Sequence, residues 1–257
     1  VNNVNELQAI SLNVFGNYAL GKDIDASVTR DWNNGAGFTP IGDGSFIWNP
    51  DNWYFNNFNG VLDGNGHVIS GLYINKADGS NVGLFGYVGS GMVRNLGLEN
   101  ANITGAGWTG GLAGYSSGTI SNCYVTGTVT GSGGSGVGGL VGQSTGLITD
   151  SYSTASVRAA NVQCAGGLVG ENDGQIADSY STGPISTTGT AFTGGLAGYN
   201  SGGTIANSYS TGAVTSDVTV DWFAHAGTGG LVGYNTNGGT LENDYSTGKV
   251  AGKVTIT

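Results

Sequence analysis

The 257-residue sequence predicts an all-β fold. It is a parallel β-helix with three short strands per coil of about 28 residues and an irregular N-terminal cap. Three observations predict it. A Gly-Leu-x-Gly tetrapeptide recurs with leucines at Leu84, Leu112, Leu140, Leu168, Leu196 and Leu231, and the first five are evenly spaced. A unit this short cannot bury its own apolar face, so neighbouring units must bury it together. Glycine supplies 51 residues at fixed offsets between Val, Ile, Leu and Tyr, which indicates frequent tight turns and corner bends rather than a flexible linker. No 3.6-residue apolar spacing competes inside the repeats.

The elements follow in order. Residues 1–60 are not repetitive and are expected to form the cap and first coil, carrying an aromatic loop; residues 61–257 are expected to form one continuous solenoid. Terminal units of such stacks are usually atypical, because they must cover an open strand edge. Residues 5–12 read as a short helix with Leu7, Ile10 and Leu12 as its apolar positions, and 18–24 as a strand. A shorter coil is expected around Leu62, which precedes Leu84 by less than one full period.

Within each later coil an apolar position follows the leucine at a constant offset, at Ile120, Ile148 and Ile176, matched by Ile205 and Leu241 after small insertions. Just beyond it stand Asn95, Asn122, Asp150, Asp178, Asn207 and Asn243. This column suits a repeated turn whose short polar side chains bond nearby backbone; a cation shared by Asp150 and Asp178 is the lesser alternative. A Ser-Tyr-Ser run follows. Leu72-Tyr73-Ile74 and Leu96-Gly97-Leu98 are read as its counterparts, with leucine or isoleucine in the serine places. Alternate residues of a strand face opposite sides, so the serines point inward and the tyrosines outward. An outer ladder of Tyr73, Tyr124, Tyr152, Tyr180, Tyr209 and Tyr245 is expected. Val129, Val157, Ile185 and Val214 close the coil, and 249–257 reads as a strand without a cap. A continuing polypeptide, or another copy, is expected against that end.

The net charge of −10 disfavours nucleic acid and anionic membrane surfaces as partners. No apolar run approaches the roughly 18 residues of a spanning helix, so membrane insertion is not expected. The chain starts at Val1 with no visible signal peptide, and reads as a mature product or an excised segment. Its scarce lysine and Asn/Ser/Thr/Gly surface resemble exported bacterial proteins. Cys123 and Cys164 fall at different offsets of the repeat, which favours free buried thiols over a disulfide.

The chemistry-bearing motifs are weak. Gly114-Tyr115-Ser116-Ser117-Gly118 and Gly142-Gln143-Ser144-Thr145-Gly146 fit a hydrolase pattern, but no helix follows either. Residues 131–136 fit a dinucleotide fingerprint without its βαβ unit. His67 and His225 are isolated from other metal-ligating types. No catalytic residue, metal or cofactor is assigned. The candidate interaction surface is Trp48, Trp53, Tyr54, Phe55 and Phe58 in the loop 46–58, with Trp222 and Phe223 in the insertion 216–227. Such aromatic residues beside Asn and Asp can pack on the solenoid flank, contact a protein (a second copy or another surface protein), or bind a glycan.

The Gly-Leu-x-Gly core and its Asn/Asp-Ser-Tyr-Ser-Thr-Gly tail resemble the GLUG motif across roughly 60–257. Residues 5–10, 16–20, 23–26 and 37–42 are similar to segments of haemagglutinin-like exoproteins, secreted by Gram-negative bacteria commonly through a two-partner system. The resemblance implies an extracellular or cell-surface location and a structural or adhesive role in filaments or matrix. GLUG repeats also accompany a metallopeptidase class, whose His-Glu-x-x-His motif this sequence lacks. The expected function is a non-enzymatic stiff stalk or self-associating filament. The alternatives are a carbohydrate-binding module and a polysaccharide-cleaving enzyme.

Overall fold

The structure, a computed structural model, describes residues 1–49, 52–220 and 226–256. Its strands wind into a continuous parallel stack in which each coil bonds the next. The leucine column shows the register directly. The N–H of Leu112 donates to the Leu140 carbonyl at 2.9 Å, Leu140 to Leu168 at 2.9 Å, Leu168 to Leu196 at 2.9 Å, and Leu196 to Leu231 at 2.8 Å. Ile120, Ile148, Ile176, Ile205 and Leu241 pair in the same order.

One coil illustrates the rest. In the Leu168 coil the strands are Val169–Asn172, Gln175–Ala177, Tyr180–Ser181, Ile185–Thr188 and Phe192–Gly194. The three expected runs are all there, but the second is split and an additional strand leads into the next Gly-Leu pair. The split has a cause. Asn95, Asn122, Asp150, Asp178, Asn207 and Asn243 all adopt left-handed backbone, with φ between 49° and 58°. Asn and Asp tolerate this conformation better than other residues with a Cβ. It turns the chain and splits the strand from the Leu140 coil onward, whereas Met92–Gly105 and Thr119–Gly138 run through the turn as single strands.

The serine that follows repairs the interruption. The N–H of Cys123 donates to Ser151 Oγ at 3.1 Å, Ser151 to Ser179 Oγ at 3.2 Å, and Ser179 to Ser208 Oγ at 3.2 Å. Each hydroxyl in turn donates to a carbonyl just upstream, Thr149, Ala177 or Ala206, at 2.7–2.8 Å. Buried polar groups need partners, and this relay supplies them. Ser151, Ser153, Ser179, Ser181, Ser208 and Ser210 are all buried.

The motif glycines serve a different purpose from the expected one. None of Gly110, Gly111, Gly138, Gly139, Gly166 or Gly167 has positive φ. A side chain there would strike backbone: a Cβ on Gly138 meets the Val141 and Leu168 carbonyls and the Gly170 nitrogen. Close approach of successive coils, not conformational freedom, demands glycine.

A second internal column escapes the sequence reading. Val88, Ser116, Ser144, Asn172, Asn200 and Asn235 stack in register. Asn172 Nδ2 donates to Asn200 Oδ1 at 2.7 Å and Asn200 Nδ2 to Asn235 Oδ1 at 2.7 Å. Asn200 also donates to the Gly203 carbonyl at 3.0 Å.

The N-terminal end is closed by the helix α1, Val4–Ala9, which runs on into a short 3-10 turn, Ile10–Leu12. Asn3 caps it by accepting from the Glu6 N–H at 2.9 Å, and the Glu6 carboxylate accepts from the Asn2 N–H at 2.8 Å. Val4, Leu7 and Ile10 bury against the core, whereas Leu12 is 87% exposed, against expectation, because the chain leaves the helix there. The strand expected over 18–24 is two pieces, Asn17–Ala19 and Ile24–Asp25, which pair with the next coil at Val61–Asp63 and Val68–Ser70.

Two register assignments in this region are corrected. Leu62 pairs with Tyr18 and Val93, and so belongs to the isoleucine column rather than the leucine column. The strand that begins at Phe85 is instead approached by Ile41. Tyr73 pairs with Asn102, while Val68 faces Gly97 and Gly97 faces Tyr124. Tyr73 therefore stands outside the tyrosine column, with the Arg30 guanidinium 4.9 Å from its ring centre. Both slips have one origin: 68–70 and 72–74 are each short β-prone runs with an apolar residue inside, so pattern alone permits either register.

Candidate functional site

Two outer aromatic surfaces and one hairpin are the candidate sites. Tyr124, Tyr152, Tyr180, Tyr209 and Tyr245 stack face to face at 4.7–5.0 Å between ring centres, with interplanar angles of 2–6°. Strand spacing of about 4.8 Å sets that separation. The stack begins where Tyr124 lies on Gly97, and its hydroxyl donates to Glu99 at 2.8 Å. Burial and the Glu99 carboxylate push the Tyr124 hydroxyl up to about 12. Stacked rings present edges and hydroxyls to solvent; only Tyr245, 53% exposed, ends the row.

The second surface runs along Tyr115, Gln143, Glu171, Tyr199 and Tyr234. Phe192 stacks against Tyr234 at 4.8 Å and Tyr199 at 5.3 Å. Gln143 Nε2 donates to Asp173 Oδ2 at 2.8 Å. Glu171 lies half-buried between Gln143 and Tyr199. Desolvation, then the nearby Asp173 charge, raises its carboxyl to about 7. A carboxyl raised on folding is stabilising while protonated, so that contribution is complete below the unfolded value and is lost as pH rises through about 7. Thermal unfolding from pH 4.5 to 8.5 is expected to show this loss. Glu171→Gln, the residue type already present at Gln143, is expected to flatten it and raise the melting temperature at pH 8.5 by a few degrees.

The loop 46–58 is an antiparallel hairpin of Phe46–Asn49 and Asn52–Phe55, standing off the parallel stack. Phe46 and Phe55 are 53% and 56% exposed and meet edge to face at 5.6 Å. Trp48 and Trp53 are opposite in backbone register, as are Ile47 and Tyr54. The side chains of Trp48, Trp53 and Tyr54, and the whole of Trp222 and Phe223, lie outside the described residues. Phe58 is corrected: it is fully buried, 4.8 Å from Phe85, and fills the core under the cap.

The motif serines face inward. Ser116 and Ser144 are fully buried, and neither hydroxyl has a partner among the described residues, which leaves no attacking geometry on the surface. Asp150 and Asp178 occupy the left-handed turn column. Among the described residues no group of three or more His, Cys, Asp or Glu side chains gathers. Cys123 and Cys164 are free and buried; desolvation pushes Cys123 up to about 12 and Cys164 well above its ordinary value. No described helix is long and apolar enough to cross a membrane.

The GLUG-motif family model matches residues 105–130, 133–158, 161–187, 193–215 and 224–251, about half of the chain. The chain belongs to the GLUG-motif family. Its Leu84 coil lies outside those matches yet stacks in the same register as the GLUG coils. Halomucin from Haloquadratum walsbyi is 44% identical over 134 residues, which is 49% of this chain and 1% of halomucin. A provisionally named Gly-rich membrane protein of Evansella cellulosilytica is 39% identical over 112 residues, 42% of this chain and 12% of that protein. The GLUG chain thus spans a small part of the curated relatives it matches. Among solved structures, a provisionally assigned immunoglobulin A1 protease from Bacteroides ovatus superposes with a TM-score of 0.70 at 23% identity, covering all of this chain and 83% of that one. An IgA1 protease structure gives 0.68 at 24% identity, over all of this chain and 20% of that one. At such identity these likenesses establish the β-helix fold alone.

Proposed function

We propose that this GLUG chain is a non-enzymatic structural module of an extracellular or cell-surface protein, a stiff β-helical stalk that presents adhesive or self-associating surfaces. The observation that carries this reading is the parallel coil-on-coil pairing that runs from Asn17 to Ile256 among the described residues, with a register shift between Leu98 and Ala101. Every coil is bonded to the next by backbone, so the unit resists bending. The names of halomucin and of the Gly-rich membrane protein support a surface location. The similarity of segments within 5–42 to haemagglutinin-like exoproteins supports secretion. The hairpin with Phe46 and Phe55, together with Trp48, Trp53, Tyr54, Trp222 and Phe223, is the contact surface, for a second copy or another surface protein.

The stalk reading is tested by removing two whole units, 112–167, from a chain carrying a globular reporter at each end. Small-angle scattering is expected to show a folded protein shortened by about 10 Å, two strand spacings. Unfolding, or an unchanged separation, defeats it. Incubation with IgA1 and with polysaccharides is expected to leave both intact; cleavage would make the enzymatic reading the better one.

A further inference from the structure

The cap carries a cleft that neither the repeat nor the hairpin explains. Gln8, Ser11, Leu12, Trp32, Asn33 and Thr39 line an open depression of ≈ 460 Å³. None of the six is charged, although the chain carries a net charge of −10. Trp32 stacks inward on the fully buried Phe38, at 6.3 Å between ring centres and 20° between planes, and packs against the core. Trp32 also lines the cleft, and its stacking on Phe38 holds it there. Leu12, 87% exposed, is the other large apolar residue of the lining.

The polar side chains beside Trp32 are held in place by hydrogen bonds. Gln8 and Thr39 pair amide to backbone in both directions at 2.9 Å. Asn33 Nδ2 donates to the Gly37 carbonyl at 2.8 Å and to Thr39 Oγ1 at 3.3 Å. Asn33 and Asn34 are both left-handed, at φ 52° and 56°, a conformation that asparagine adopts more readily than other residues with a Cβ.

We propose that this cleft binds a neutral sugar ring. A tryptophan held against the core, an exposed leucine, and uncharged amide and hydroxyl side chains in one lining match the apolar face and peripheral hydroxyls of such a ring. A charged ligand would find no counter-charge in the lining. The Trp32 site is separate from the hairpin and from the repeat, and the stalk reading stands or falls without it.

The test follows the indole N–H resonances of the full chain in ¹⁵N spectra during titration with cellohexaose, xylohexaose and mannohexaose. Trp32→Phe assigns the Trp32 signal. At least one hexasaccharide is expected to shift it saturably, and calorimetric titration of Trp32→Ala, which lacks that signal, to give binding about tenfold weaker than the parent, the worth of one aromatic contact. Leu12→Asp, at an exposed position that leaves the fold intact, is expected to weaken it similarly. Failure of all three sugars to move the Trp32 signal overturns the proposal. So does binding that survives both variants, or a change of oligomeric state with Leu12→Asp, which would make the cleft an interface between copies.

Discussion

Gly166→Ala is expected to destabilise the protein by about 3–5 kcal/mol and lower its melting temperature by roughly 10 °C. The new Cβ would collide with the Val169 carbonyl of its own coil, and would lie 2.7 Å from the Gly198 nitrogen and 2.7 Å from the Leu196 carbonyl of the next. All three are backbone atoms, so no rotamer change relieves the clash. The coils would have to separate, lengthening the Leu168–Leu196 bond and its neighbours. Gly133→Asn is the matched control. Gly133 has φ 61° and open space around its Cβ direction, and Asn161 at the neighbouring coil's equivalent corner already holds φ 55°. That variant is expected to stay within about 0.5 kcal/mol of the parent. If Gly166→Ala unfolds no earlier than Gly133→Asn, close approach is not what the motif glycine provides.

Asn200→Ala is expected to cost about 3 kcal/mol, far more than an exposed asparagine would. Its amide links Asn172 of one neighbouring coil with Asn235 of the other along the stack, and also bonds the Gly203 carbonyl within its own coil. Truncation takes the Asn200 Oδ1 acceptor from the buried Asn172 amide, at about 1–3 kcal/mol, while the Gly203 carbonyl keeps the Thr240 N–H. The network also loses its mutual support. Denaturant unfolding of Asn200→Ala and Asn172→Ala, singly and together, gives the coupling: the double variant is expected to cost clearly less than the sum. Additive losses would mean that the two amides are independent.

Much of the fold is legible because a solenoid writes each contact once per period. Leu112, Leu140 and Leu168 declare their column by spacing, and Ser151, Tyr152 and Ser153 declare inside and outside by alternation. What stays hidden has physical reasons. The column of Ser116, Ser144, Asn172, Asn200 and Asn235 is polar and reads as surface; only three dimensions show that the Asn172 and Asn200 amides are buried and bonded along the stack. The glycines read as bends, since a sequence cannot show how near the next coil lies. Phe58 resembles the exposed aromatics of its loop, yet the cap needs its ring over Phe85 to fill the space that Val and Ser fill elsewhere. The Trp32 cleft joins residues from α1 and its 3-10 extension to a later turn, a juxtaposition no local motif announces.

The central claim is that coil bonds to coil in parallel, residue upon equivalent residue. Scalar couplings across hydrogen bonds, measured by long-range HNCO spectroscopy on deuterated protein, read this directly. Cross-peaks are predicted from the amide nitrogens of Leu112, Leu140, Leu168 and Leu196 to the carbonyl carbons of Leu140, Leu168, Leu196 and Leu231 respectively. Their absence, or couplings that join these leucines in antiparallel order or to residues off the column, would contradict the stacked architecture and the stalk built on it.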